Sequence, residues 1–170
     1  PAQRDVDAEL AEGGSLSGTV TGPGGTPLEG ASVFVSDDAD DLTRYEIAAG
    51  TVIAGNSIGV DAAGDTGLST TTNNGISLEA STSYFVSNTT IGGTTSAARN
   101  LIGSLSSGIE FNGTNVTSNT IAGNYIGTNH DGTFAIPNST GVLIVSGAHN
   151  NLIGGSSTGA RNVISGNYSD

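Results

Sequence analysis

The chain contains no cysteine, no methionine and no tryptophan among its 170 residues. Without cysteine there are no disulfides, no thiolate metal ligands and no thiol catalysis. Basic residues are scarce: four Lys+Arg stand against sixteen Asp+Glu, a formal net charge of −12. A field of that sign repels phosphate backbones and anionic headgroups, so neither nucleic-acid binding through a basic patch nor binding to an acidic membrane surface is expected. No apolar run approaches the roughly 18 residues that a spanning helix needs, and no membrane insertion is expected. The chain opens polar and acidic at Pro1, a stretch not expected to be a secretory leader. That start, and the stop at Asp170 just after Ile164-Ser165-Gly166-Asn167, read as the ends of a piece excised from a longer protein, truncated at its C-terminus.

What is present is glycine, at 27 residues, against only four prolines, with abundant Ser, Thr and Asn. Regularly spaced Ile and Val separate this composition from a disordered one and point to a turn-dense all-β protein. Charge is uneven along the chain. Residues 1–46 hold ten acids and two arginines, and residues 47–170 hold six acids and two arginines. Two differently built parts are expected, divided near residue 46.

The second part repeats itself. Residues 51–60 read Thr51-Val-Ile-Ala-Gly-Asn-Ser-Ile-Gly-Val60, and residues 119–128 read Asn119-Thr-Ile-Ala-Gly-Asn-Tyr-Ile-Gly-Thr128, identical at six of ten positions with an offset of 68. Ile91-Gly92-Gly93 through Ala98-Arg99-Asn100 returns as Ile153-Gly154-Gly155 through Ala160-Arg161-Asn162, with an offset of 62. Apolar centres at Ile53, Ile76, Ile91, Leu101/Ile102, Ile109, Ile121, Val142, Ile153 and Val163/Ile164 sit in short Ile/Val/Thr runs flanked by Gly or Asn. Short strands between tight turns, repeated at this density, predict a parallel β-helix with coils of about 20 residues. Asn56 and Asn124, and likewise Asn100 and Asn162, hold matched repeat positions. They are expected to be structural, in side-chain ladders along the axis or at turns, because Asn tolerates left-handed backbone. Arg99 and Arg161 also occupy one repeat position, which predicts a structural role, bonding turn carbonyls or packing on the next coil.

The first part carries a strand–turn–strand pattern, Ser15 to Thr21 and Ala31 to Val35 around Gly22-Pro23-Gly24-Gly25. Gly18-Thr19-Val20-Thr21, Gly25-Thr26-Pro27-Leu28 and Gly30-Ala31-Ser32-Val33 resemble the opening of a carboxypeptidase-regulatory-like domain, a small β-sandwich module of extracellular proteins. The rest of that module is missing, since Asp37-Asp38-Ala39-Asp40-Asp41 leads directly into the repeat. These aspartates lack the spacing of an EF-hand and read as a solvated acidic linker.

The repeat motifs resemble right-handed parallel β-helix repeat proteins of pectin-lyase-like fold, which occur in large bacterial surface and secreted proteins. The motifs are those of residues 119–128, Asp131-Gly132-Thr133, Gly141-Val142-Leu143-Ile144, Asn151 to Gly155, and Ala160 to Asn167. The resemblance implies an all-β right-handed parallel β-helix over residues 47–170, about five to six coils, preceded in residues 1–46 by a β-hairpin from an incomplete β-sandwich. It implies an extracellular or cell-surface location, with polysaccharide or surface glycan and the neighbouring β-modules of the full-length chain as partners.

Enzymes of this fold resemble one another in clustering carboxylates, some around calcium and some as acid–base pairs. The repeat region has few acids, and Asp61 and Asp65 align with Asn129 and Thr133, so no repeated carboxylate pair survives. Asp61 and Asp65 are a candidate calcium pair, and no cofactor is required by anything in the sequence. Glu79 and Glu110 fall at or beside strand ends, where aligned coils would bring them to one face. Tyr84-Phe85, in a segment that lengthens the first copy, is either a sugar-stacking pair or a buried coil filler. His130 and His149 are lone loop residues without metal-ligand spacing. The expected function is a non-catalytic scaffold, adhesive or carbohydrate-contacting module; the alternative is part of a polysaccharide lyase or glycoside hydrolase. Activity is to be sought where the copies differ, at Asp61/Asp65, Tyr84-Phe85 and His130-Asp131.

Overall fold

A computed structural model describes residues 15–16, 50–68, 73–80, 82 and 84–170. The proposed sandwich hairpin, the acidic linker and the boundary at residue 46 lie outside these residues, Ser15 and Leu16 excepted. In chain order the strands are β1 (Ser15–Leu16), β2 (Val52–Ile53), β3 (Ser57–Ile58), β4 (Ile76–Glu79), β5 (Val86–Ser87), β6 (Thr90–Gly92), β7 (Leu101–Ile102), β8 (Ser107–Asn112), β9 (Val116–Thr117), β10 (Thr120–Ala122), β11 (Tyr125–Ile126), β12 (Thr140–Val145), β13 (Leu152–Ile153) and β14 (Val163–Ile164). Two 3-10 turns, Ser96–Ala98 and Thr158–Ala160, are the described helical elements.

Among the described residues every strand pair is parallel, and the strands fall into four sheets visited in rotation. The first sheet runs β1-β2-β6-β10-β13, the second β3-β7-β11-β14, the third β4-β8-β12 and the fourth β5-β9. The chain thus passes through the sheets in the same order on each circuit, a β-helix-like coil. We number the coils from their first-sheet strands: β2 opens coil 1, β6 coil 2, β10 coil 3 and β13 coil 4. Ile53, Ile91, Ile121 and Ile153 stack in register at separations of 38, 30 and 32 residues.

This corrects the expected coil of about 20 residues and the count of five to six. Three full circuits separate β2 from β13, because each circuit holds three or four strands with their corners. The repeat offsets of 68 and 62 each span two coils. The reason is an alternation of loop lengths. The corner between the first and second sheets is short in coils 1 and 3, at Ala54–Asn56 and Gly123–Asn124, but long in coils 2 and 4, where the 3-10 turns lie. The passage from second to third sheet is long in coils 1 and 3, and short in coil 2, where only residues 103–106 intervene.

Inward side chains alternate with outward ones, as a pleated strand requires. Ile91, Ile102, Ile109, Phe111, Ile121, Ile126, Val86 and Val116 are fully enclosed and form one axial core with Ile53, Ile58, Ile76 and Leu78. Burying each such side chain contributes about 1.5–3 kcal/mol. The stack is open at its upper end: Ile153, in register with the enclosed Ile121, is 44% exposed, and Ile144, in register with Phe111, is 41% exposed.

Polar ladders hold the corners. Asn56, Asn100, Asn124 and Asn162 form a single ladder through all four coils. The backbone N–H of each donates to Oδ1 of the next, at 3.0, 3.2 and 2.9 Å. Their side-chain amides link likewise, at 3.0, 2.9 and 3.2 Å. Each Nδ2 above the first also donates back to the coil beneath, to Ile53, Ile91 and Ile121 carbonyls. A second ladder joins Thr89, Asn119 and Asn151, and a third joins Leu105, Asn138 and Asn167. Between the fourth and first sheets the chain turns through left-handed residues at one matched corner, Asn88, Ser118 and Asn150, with φ of 57°, 61° and 56°.

Candidate functional site

The long loops of coils 1 and 3, residues 61–67 and 129–135, share one internal geometry. Asp61 Oδ1 accepts the N–H groups of Asp65 and Thr66, at 2.8 and 3.2 Å. Asn129 Oδ1 accepts those of Thr133 and Phe134, at 2.8 and 3.1 Å. Both loops fold back over the outer face of the second sheet, where Val60, Leu101 and Ile136 form a small separate cluster against Tyr125. The passage from the second to the third sheet is short in coil 2, so the two loops meet across it: His130 N–H donates to the Gly64 carbonyl at 2.9 Å.

Side chains join the loops as well. His130 Nδ1 lies 2.9 Å from Asp65 Oδ1, and Nε2 lies 3.0 Å from Asp131 Oδ1. Asn129 Nδ2 donates to Asp65 Oδ1 at 3.2 Å. Two of the three places where the copies differ are therefore one place, built from residues 65 positions apart in sequence. With its two ring nitrogens facing Asp65 and Asp131, the imidazole tethers the loops. The groups are half-exposed, so the tether contributes at most about 1 kcal/mol.

The calcium pair faces different partners. The backbone N–H of Asp65 holds the Asp61 carboxyl below its ordinary range; desolvation opposes it, and the N–H groups of Thr66 and Gly64 reinforce it. Asp65 instead engages His130 and Asn129. Among the described residues no group of three or more His, Cys, Asp or Glu side chains is placed to hold a metal ion.

Tyr84 and Phe85 precede β5, whose Val86 pairs with Val116 of the next coil. The corner that holds them, residues 80–85, is three residues longer than its counterpart at residues 113–115, so it does lengthen the first copy. Phe85 is 63% exposed and Tyr84 is half-buried, which overturns a fully buried pair.

Glu79 and Glu110 share the outer face of the third sheet, on adjacent strands and diagonal to each other: Glu79 is in register with Asn112, and Glu110 with Ser77. Glu79 Oε1 accepts from Ser77 Oγ at 3.1 Å, and Glu110 Oε2 accepts from Asn74 Nδ2. The arginines lie elsewhere, in the long corners between the first and second sheets. Arg99 Nε reaches the Gly123 carbonyl at 3.4 Å, and its guanidinium sits 4.0 Å from the centre of the Tyr125 ring, both in the coil above. Arg161, its counterpart in coil 4, instead borders an open cavity of about 410 Å³ lined also by Ile153, Gly154, Thr158 and Ile164. His149 Nδ1 lies 3.0 Å from the Gly147 carbonyl within its own turn.

Reading the sequence missed the tether and two of the three ladders. Asp65 and His130 hold no shared repeat position. Asn119/Asn151 and Asn138/Asn167 are spaced by one coil, 32 and 29 residues, which the two-coil repeat conceals. Comparison with known proteins adds no relative: no family model matches the chain, and neither a curated protein nor a solved structure matches it. Among the described residues no helix is long and apolar enough to cross a membrane.

Proposed function

We propose that the chain is a stretch of right-handed parallel β-helix, pectin-lyase-like in fold, from a large exported bacterial repeat protein, and that it serves as a non-catalytic scaffold or adhesive module contacting surface carbohydrate. The observation that carries this reading is how the polar side chains are employed. Four asparagines form one axial ladder, Asp61 closes a turn, Arg99 clamps the coil above, and His130 tethers two loops. Groups occupied in holding coils together are not available for substrate. Carbohydrate contact would fall to exposed aromatics such as Phe85, a flat ring on which a sugar face can stack.

One observation favours the alternative, a polysaccharide lyase or glycoside hydrolase: Glu79 and Glu110 share an outer face on neighbouring strands. Glycosidic cleavage by paired carboxylates needs them about 5–10 Å apart. The test is a glycan array with and without calcium, followed by a product assay on each glycan bound. Binding without turnover, weakened by Phe85→Ala, is the expected result. Turnover abolished by Glu110→Gln would replace the scaffold reading with the enzymatic one.

A further inference from the structure

The cavity beside Arg161 has a filled counterpart two coils down. Arg99 occupies the same repeat position in coil 2, and there the short corner of coil 3 covers it. Gly123 supplies a carbonyl to Nε, and Tyr125 lays its ring against the guanidinium. Asn124 of that corner completes the ladder by accepting the Asn100 N–H. In coil 4 the equivalent surface is laid out but uncovered. Arg161, Gly154 and Asn162 line the cavity, Ile153 and Leu152 are 44% and 53% exposed, and Tyr168 is 81% exposed. The ladders are directional, N–H below to Oδ1 above, so the N–H groups of Asn151, Asn162 and Asn167 point to where the next coil's acceptors would lie.

We infer that the open face of coil 4 is a docking surface for one particular occupant, a further coil of the same repeat of the short-corner type, bearing Gly-Asn-aromatic where coil 3 has Gly123-Asn124-Tyr125. Its glycine carbonyl bonds Arg161, its aromatic ring covers the guanidinium, and its asparagine extends the ladder from Asn162. A long-corner coil does not fit this surface. Long corners stack on long corners across an intervening short one, as Gly159 does against the Thr94 carbonyl, where a Cβ on that glycine would collide. The alternation of corner lengths therefore specifies which kind of coil this face accepts. The inference deepens the scaffold reading but rests on stacking geometry alone, and the glycan assay can fail without touching it.

The register permits a direct test on the full chain. Ser107, Thr140 and Ser169 are equivalent rungs. A copy of residues 108–140 joined after Ser169 therefore places a short-corner coil above coil 4, and a copy of residues 141–170 places a long-corner one. Amide hydrogen exchange and the ring-current shift of the Arg161 side-chain protons are measured in both and in the parent chain. With the short-corner extension, exchange at Asn162 slows by about tenfold or more as its N–H gains a partner, and the Arg161 protons move upfield. Tyr125→Ser in the appended copy removes the upfield shift and keeps the slowed exchange. The long-corner extension produces neither effect. Unchanged exchange at Asn162 with the short-corner extension overturns the proposal. Equal effects from both extensions also overturn it, as does a parent chain that protects Asn162 by dimerising.

Discussion

Removing the side chain of Asn124 should cost more than removing that of any other ladder asparagine. Asn124 is fully enclosed. Its Oδ1 accepts from the backbone N–H and Nδ2 of Asn100, at 3.2 and 2.9 Å. Its Nδ2 donates to the carbonyls of Ile91 and Ala122 and to Oδ1 of Asn162, at 2.8, 3.1 and 3.2 Å. Asn124→Ala strips these five contacts and leaves the buried Asn100 N–H without its acceptor. An orphaned buried donor costs about 1–3 kcal/mol, and each further bond lost about 0.5–1.5 kcal/mol net. The sum is about 3–5 kcal/mol, allowing the remaining groups to share partners. Asn162→Ala, at the open end, exposes its orphaned partners to water and should cost about 1 kcal/mol. Equilibrium urea denaturation followed by circular dichroism compares the two directly. At about 2–4 °C per kcal/mol for a chain of this size, the interior variant should also melt roughly 6–20 °C lower. Equal losses for the two variants, or a loss under about 1 kcal/mol for Asn124→Ala, would refute the ladder as a source of stability.

Three further outcomes follow from the same geometry. Ile121→Ala should destabilise by about 2–5 kcal/mol, as for other enclosed aliphatics, whereas Ile153→Ala should cost well under half as much; matching values would contradict a stack that is open above coil 4. The lowered pKa of Asp61 stabilises its turn above the ordinary carboxylate value of 3.8, and this contribution is lost as pH falls through the lower folded value. The Asp65 amide resonance should report that loss, and Asp61→Asn, which copies Asn129, should keep the turn and abolish the titration; a titration surviving in Asp61→Asn would sink the assignment. The Thr89 hydroxyl is buried with no hydrogen-bond partner among the described residues, so Thr89→Val should be neutral or mildly stabilising in thermal melts; a clear loss of stability would mean that the hydroxyl has a partner.

Much of the architecture was legible in the sequence. Apolar centres flanked by Gly and Asn located the short parallel strands, and the Ile53/Ile121 and Ile91/Ile153 pairs identified rungs of one sheet. The circuit length was not legible, because the strongest self-similarity lies at two coils. Loop length alternates from coil to coil, so neighbouring coils resemble each other less than coils two apart. For the same reason the sequence matches Asn56 with Asn124, although Asn100 stands between them in the ladder. The tether was hidden for a related cause: the short second-to-third-sheet passage of coil 2 lets the loop holding Asp65 touch the loop holding His130. The exposure of Phe85 was open too, because an aromatic at a corner serves equally well as filler or as surface.

The central claim is that Asn56, Asn100, Asn124 and Asn162 are consecutive rungs of a single ladder through four stacked coils. Scalar coupling transmitted through hydrogen bonds tests it most directly, measured by NMR from a backbone nitrogen to the side-chain carbonyl carbon that its proton faces. The account predicts couplings from Asn56 to Asn100, from Asn100 to Asn124 and from Asn124 to Asn162. A coupling from Asn56 directly to Asn124, or none from Asn100 to Asn124, would contradict it.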